Sequence, residues 1–339
     1  MENHRHVQNL ETAARRMKRK NEEFRESAVL KDVIERKSAE RFLTLCSDID
    51  AQENQILMLE TAVQNLRTET ASFSELLYVT MSAKDPEGGS SFVHEFLPQV
   101  CFQRRVHEKY AWEYWISSHL FHGFENAFFG LPHLDMFNAV SNPERYRADC
   151  FLAFQEMSTK SSSTDEMAQT MLQCSRFREF CRTKFLQVIP SCLEHVLFGN
   201  FYHSCAIIAH GKFPSNVHHI FHRFLVVAKA VWILHKLAWS FEPPARIIWA
   251  TPAMHYDGAI MESVMASEDL EKTNDLGKVA FVIAPGFCVR NTIVRRSQVY
   301  LISEIANVKF SGDVEESQML AASSIHATAQ VSTIQRVTT

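Results

Sequence analysis

Glycine is scarce in this sequence, with 10 residues in 339, about 3% against the roughly 7% of an average chain. Loops that cradle phosphates or dinucleotides are built on glycine, and neither G-x-G-x-x-G nor G-x-x-x-x-G-K occurs. The nucleophile elbow G-x-S-x-G and an acidic metal loop are missing as well. The eight cysteines contain no C-x-x-C spacing. With no secretory leader at the start, this predicts free thiols in a reducing compartment, cytosolic or nuclear. No apolar run approaches the roughly 20 residues that cross a bilayer, which argues against an integral membrane protein. A net charge of -4 gives no overall basic character, so no nucleic-acid partner is expected.

Proline and glycine are also absent ahead of Pro86, and a heptad fills that space. One register holds from residue 7 to residue 77. Its a positions run Val7, Ala14, Asn21, Ala28, Glu35, Phe42, Ile49, Ile56, Val63, Thr70, Leu77, and its d positions include Leu10, Met17, Phe24, Lys31, Ser38, Leu45, Gln52, Leu59, Leu66 and Phe73. Of these 21 positions 15 are apolar or alanine, which predicts a coiled coil about 100 Å long. A long helix packed back on its own domain fits the same pattern. The residues expected to carry a homodimer are Phe42, Leu45, Ile49, Ile56, Leu59, Val63, Leu66, Phe73 and Leu77. Isoleucine at a with leucine at d in the block 49–66 favours two parallel strands, with antiparallel pairing to another protein left open. Lys31, Glu35 and Ser38 follow one another on the seam and mark a hinge or a shift of register. Arg15, Arg16, Lys18, Arg19 and Lys20 form a candidate targeting or anionic-surface patch, although outward heptad positions carry charge in any case.

Beyond the break at residues 85–90, helical patterns return over 92–97 and 104–121. A polar linker rich in serine spans 158–165, where phosphorylation is one use and Ser163 with Glu166 has the capping-box spacing of a helix start. Further helices are expected over 177–188, closed by Pro190, and 192–198, closed by Gly199. The chain is organised around residues 213–287. Pro214-Ser215-Asn216 opens a helix whose apolar residues recur at three- and four-residue intervals from Val217 to Phe241, and Pro243-Pro244 ends it. Period-two patterns over 246–249, 279–284 and 292–302 then predict strands, with Pro285-Gly286 as a turn. The tail from 304 is low in charge and aromatics and reads as disordered. The expected fold is mainly α: a coiled-coil helix (1–80), a helical region and linker (81–165), a helical domain with a small β-sheet appendage (166–303), and the tail (304–339).

Four ordered segments carry a resemblance: Leu197-Phe198-Gly199-Asn200, Ala230-Val231-Trp232-Ile233-Leu234-His235, Ser240-Phe241-Glu242-Pro243 and Ala284-Pro285-Gly286-Phe287. His107 to Glu113 and Phe121-His122-Gly123-Phe124 join them. They resemble the plant family of the domain of unknown function 641, which includes the gravitropic-in-the-light and receptor-like-kinase-interacting proteins. The resemblance implies a non-enzymatic signalling adaptor in light-dependent, phytochrome-linked growth orientation. It implies a protein partner, which could be a receptor-like kinase, and a place in the cytoplasm, at the plasma membrane periphery or in the nucleus. It brings no cofactor. This chain begins close to the heptad, so functions carried by a longer leading segment are not expected of it. A cytoskeletal or organelle-bound coiled-coil protein is the alternative.

The signature residues Phe198, Gly199, Asn200, Lys229, Trp232, His235, Ser240, Phe241, Glu242, Pro243, Pro285, Gly286 and Phe287 are either core or partner-binding. His235, among apolar neighbours, is expected to be a hydrogen-bonded core residue rather than a base. Lys229, inside an apolar run, is expected to pair with Glu242 or Glu194. His218, His219 and His222, preceded by His195, His203 and His210, lack the intervening glutamate and companion cysteines of a zinc site. Cys174 and Cys181 lie on one helical stripe and read as small buried hydrophobes. No catalytic and no metal-binding residue is assigned.

Overall fold

The computed structural model describes residues 2–100, 102, 104–131, 141–160, 163, 174–200, 204, 207, 219–265 and 277–302. The helix expected after Ser163, the helix start at Pro214-Ser215-Asn216 and the tail from 304 lie outside the described residues. The chain separates into two units, Met1–Met58 and Leu59–Thr339.

The first unit is helical. The helix α1 is assigned to Glu2–Lys84, and its part up to Met58 makes this unit. Within the first unit its seam residues are open to solvent: Met17, Phe24, Phe42, Leu45 and Ile49 are 47–77% exposed. Leu30, Val33 and Leu43 are exposed beside them. From Leu59 onward the same heptad phase has a different fate. Leu59, Val63, Leu66, Phe73 and Leu77 are all buried in the second unit's own core. The packed-back alternative therefore describes this last part of α1, and of the expected seam Phe42, Leu45 and Ile49 stay exposed and Ile56 half-buried, with Met17 and Phe24 exposed before them.

In the second unit the break after α1 is a single residue, Asp85, because Pro86 takes the first position of α2 (Pro86–Phe96), where its missing N–H costs nothing. A 3-10 turn (Arg105–His107) leads into α3 (Glu108–Phe121). The helix α4 (Pro143–Thr159) had no counterpart among the expected elements, although Asn142-Pro143 is a good start signal and the Asn142 side chain accepts from Arg145 N–H. The next two match expectation closely: α5 (Ser175–Val188) and α6 (Ser191–Phe198), the latter closed by Gly199 at φ 74°. The central helix is described as α7 (His219–Ala238), nearly all of it buried. It stops short of Phe241, because Ser240 turns back to hydrogen-bond the Leu237 carbonyl through both N–H and hydroxyl.

Among the described residues six strands make two three-stranded sheets: β1 (Arg246–Ile248), β2 (Met261–Ser263), β3 (Lys278–Ala284), β4 (Gly286–Val289), β5 (Thr292–Arg295) and β6 (Ser297–Ile302). Their orders are β1-β4-β5 and β2-β6-β3. All the pairings are antiparallel except β2 with β6. The expected single strand 292–302 is two strands in different sheets, and the expected turn at Pro285-Gly286 is the first residue of β4. One corner explains both departures. The buried Ser297 hydroxyl donates to the Ile248 carbonyl and accepts from Gly286 N–H, which pins the two sheets where β5 gives way to β6. A Cβ on Gly286 would stand 2.7 Å from both Arg295 O and Ser297 N. Glycine serves close approach here rather than a turn.

β3 is buried along almost its whole length because both faces of its sheet are covered. One face packs Phe281, Ile283 and Tyr300 against Tyr110 and Tyr114 of α3, and the other packs Val279, Val282 and Leu301 against Trp249 and Tyr256. The second half of α1 is tied to the same sheet: Arg67 Nη1 meets Glu262 Oε1 of β2 at 2.6 Å, and Nη2 donates to the Arg296 carbonyl. Phe73 lies edge-on to Phe224 of α7 at 6.4 Å.

Gly286→Ala should therefore cost about 3 kcal/mol, the upper part of the range for overpacking. Gly199→Ala, where a Cβ meets nothing within 4 Å, should cost only the left-handed strain of about 1 kcal/mol. Chemical denaturation of the two variants checks the ranking, and equal stabilities would contradict the close approach.

Candidate functional site: buried cations around an irregular segment

Residues 119–131 connect the end of α3 to the region before α4 and contain FHGFENAFFGL, four of whose phenylalanines, Phe121, Phe124, Phe128 and Phe129, are buried. The backbone here is a run of turns, closed by Phe124 N–H to Phe121 O, Asn126 N–H to Gly123 O, Phe129 N–H to Asn126 O and Leu131 N–H to Phe128 O. Gly123 sits at φ 81°, and a Cβ there would be 2.6 Å from Phe129 O, so the segment folds back on itself only with glycine at that position. Buried irregular backbone leaves carbonyls that neither a helix nor a sheet satisfies, and each must find a donor.

Four side chains supply those donors. Lys184 of α5 places Nζ 2.8 Å from His119 O and 2.7 Å from His122 O, at the C-terminus of α3, where helix carbonyls are unpaired and a cation is favoured. His235 of α7 bonds Asn126 O through Nε2 at 2.9 Å. Trp239 Nε1 donates to Phe124 O at 3.3 Å, and Tyr146 of α4 donates its hydroxyl to Ala127 O at 2.7 Å. Three helices thus hold one loop by its carbonyls.

The rings complete the enclosure. Phe129 stacks on His235 with centroids 4.0 Å apart, and Phe124 meets the same imidazole edge-on at 5.0 Å. Phe129 also stacks on Trp232 at 6.0 Å, and Phe287 of β4 packs on Phe121 and Phe124. Lys236 lies 4.8 Å from the Trp232 centroid, a cation on the ring face.

Burial sets the charge states. It pushes the Lys184 amine down to about 7, with Glu125 opposing the shift. Burial, then the neighbouring Lys236 cation, holds His235 well below the usual histidine range, so its imidazole is neutral at physiological pH and donates from Nε2. A lysine with a lowered pKa is a possible nucleophile in general. Lys184 is 2% exposed, with its ammonium between two backbone carbonyls and the Phe129 and Phe180 rings. These groups serve the fold's own backbone.

The structure separates the signature residues. Lys229, Trp232, His235, Phe241, Pro285, Gly286 and Phe287 are buried, and His235 is the hydrogen-bonded core histidine that its apolar neighbours led us to expect. Ser240 and Phe198 are half-buried, while Gly199, Asn200, Glu242 and Pro243 are exposed. One pairing needs correction. Lys229 Nζ donates to the Lys160 carbonyl at 2.5 Å, not to Glu242 or Glu194. Glu242 is instead paired with Arg147, and Glu194 accepts from Ser204 N–H at 2.9 Å. Lys184, Tyr146 and Trp239 were not singled out by sequence. A lysine centred in an amphipathic helix, Lys184 among Phe180, Cys181 and Phe185, was the available signal for the first.

Arg15, Arg16, Lys18, Arg19 and Lys20 are all exposed. His195 and His219 are exposed and His222 half-buried, while His203, His210 and His218 lie outside the described residues. Among the described residues no group of three or more His, Cys, Asp or Glu is placed to hold a metal ion. Cys150 and Cys181 are buried free thiols, and Cys174 caps α5 by accepting from Phe177 N–H; Cys101 and Cys205 lie outside the described residues. No described helix is long and apolar enough to cross a membrane.

Fold and contacts together define a helical scaffold domain, closed by two small sheets, whose buried cations support its own backbone. Residues 248–300, from the end of β1 into β6, match the family model described as the GIL1/IRKI C-terminal domain. The chain is also 31% identical over 225 residues to "Protein GRAVITROPIC IN THE LIGHT 1" of Arabidopsis thaliana, an alignment covering 65% of this chain and 38% of that protein. Over these residues the chain is similar to the GIL1/IRKI family. No solved structure matches it.

Lys184→Met should destabilise the domain by about 3 kcal/mol, because two carbonyls lose charged donors at once. The effect depends on pH with a defined sign. Folded Lys184 titrates near 7 and unfolded lysine near 10.5, so the unfolded state binds more protons between those values. The wild type should therefore gain stability relative to Lys184→Met as pH rises from 7 to 10. Parallel stability curves for the two proteins over that window would contradict the assignment.

Proposed function

We propose that this chain is a non-enzymatic plant signalling protein acting in light-dependent control of gravitropic growth. The carrying observation is the identity to the Arabidopsis gravitropic-in-the-light protein, which extends over 65% of this chain. The aligned part is 38% of that relative, so the activity of the relative as a whole is brought here only as a reading. The buried half of the signature supports a scaffold role, since those residues are occupied in holding the fold. In this reading recognition falls to surfaces: the exposed signature residues Gly199, Asn200, Glu242 and Pro243, and the apolar stripe of the first unit. The stripe serves self-association, and the domain takes a protein partner of the receptor-like-kinase class at the inner face of the plasma membrane or in the cytoplasm. The basic run from Arg15 to Lys20 suits an anionic surface or nuclear import.

Expression of the chain in Arabidopsis lacking the gravitropic-in-the-light protein tests this. Restoration of the normal effect of light on growth orientation is the expected outcome. A stably accumulated protein that leaves the response unrestored would overturn the reading.

A further inference from the structure

We propose that residues 15–51 pair with a second copy of this chain in antiparallel orientation, centred near Val33. This rests on the self-association in the reading above and specifies its geometry. The starting observation is the seam itself, whose large apolar residues are unburied by their own chain, from Met17 at 77% exposed to Ile49 at 47%. Such a stripe needs an occupant, and its charges choose between the two orientations.

In a parallel, in-register pair each seam residue meets its own copy. Lys31 would face Lys31, and Glu35 would face Glu35, two like-charge layers inside the interface. The flanking g-to-e contacts would set Lys20 against Arg25 and Asp48 against Glu53, again like against like. Desolvated like charges are far more costly than exposed ion pairs are stabilising, so these contacts decide orientation even though surface pairs contribute little.

Reversal turns the seam charges and Lys20 with Asp48 into complements, against one like-charge contact, Asp32 facing its own copy at the flanking e position. In an antiparallel pair an a position faces a d position of the second copy. One register sets Met17 against Ile49, Phe24 against Phe42 and Lys31 against Glu35, each twice by the two-fold axis. At g, Lys20 then faces Asp48. The polar interruption of the seam, a flaw in a parallel pair, becomes two opposite-charge layers at the centre of the antiparallel one. Lys31 and Glu35 already approach to 3.8 Å within one helix, with side chains 75% and 66% exposed, so each is available to a second partner. Asn21 falls against Leu45, a polar intrusion of the kind that fixes register at some cost in stability.

Full-length chain, prepared as an equal mixture of nitrogen-14 and nitrogen-15 forms, should be treated with a zero-length carbodiimide that joins amines to carboxylates. Mass spectrometry is expected to find isotopically mixed links between Lys20 and Asp48. Mixed links confined to residues of similar number, such as Lys20 with Glu22 or Glu23, or absent from a dimeric chain, would overturn the orientation while leaving self-association standing. A single-chain mass in light scattering at the same concentration would overturn both. In addition, Lys31→Glu should weaken self-association roughly tenfold, and Lys31→Glu with Glu35→Lys should recover it. An unchanged affinity in the single variant would also count against the register.

Discussion

The second unit depends on a loop that has no secondary structure to satisfy it. The carbonyls of His119, His122, Phe124, Asn126 and Ala127 lie beside the buried rings of Phe121, Phe124, Phe128 and Phe129, and each receives a donor from Lys184, Trp239, His235 or Tyr146. A carbonyl shielded from water and left without a donor costs about 1–3 kcal/mol, so losing several of these donors would remove a large share of a marginally stable domain's stability. That constraint accounts for otherwise unusual residues. A lysine, a histidine and a tryptophan project into an apolar interior because the backbone there needs proton donors.

The sheets add a second constraint of the same kind. Ser297 satisfies the Ile248 carbonyl and the Gly286 amide at the corner where one sheet passes into the other, and Gly286 has no Cβ because the Arg295 and Ser297 backbones already occupy that space. Phe287, the next residue, reaches the loop's own Phe121 and Phe124. The Pro285-Gly286-Phe287 and Trp232-to-His235 parts of the signature, separated by fifty residues of chain, therefore meet on one segment. The match to residues 248–300 takes in the first of these and most of both sheets.

Several elements could be read from the chain and others could not. The long helix was legible because its heptad holds phase, but phase alone does not say what covers a stripe. Phe42 and Leu59 both lie on the seam; one is 65% exposed and the other buried in the domain. The segments that became α5, α6 and α7 showed their apolar spacing, and Gly199 capped where expected. β2 was missed because three residues, Met261, Glu262 and Ser263, are too few to show a period of two. The split between β5 and β6 was missed because alternation continues through Arg296 and only the buried Ser297 marks the corner. The partner of Lys229 was misjudged for a general reason: charged acceptors stand out in a sequence, whereas a backbone carbonyl is present at every residue and its availability is set by the fold.

The buried signature thus explains stability, and the exposed stripe explains what is left for partners. The account rests on the loop being part of the core. Native-state hydrogen exchange of the full-length chain measures this directly. If the account holds, the amides of Phe124, Asn126, Phe129 and Leu131 exchange as slowly as those in the middle of α7, through global unfolding alone. Exchange of these four amides orders of magnitude faster than α7, as in an ordinary surface turn, would contradict it.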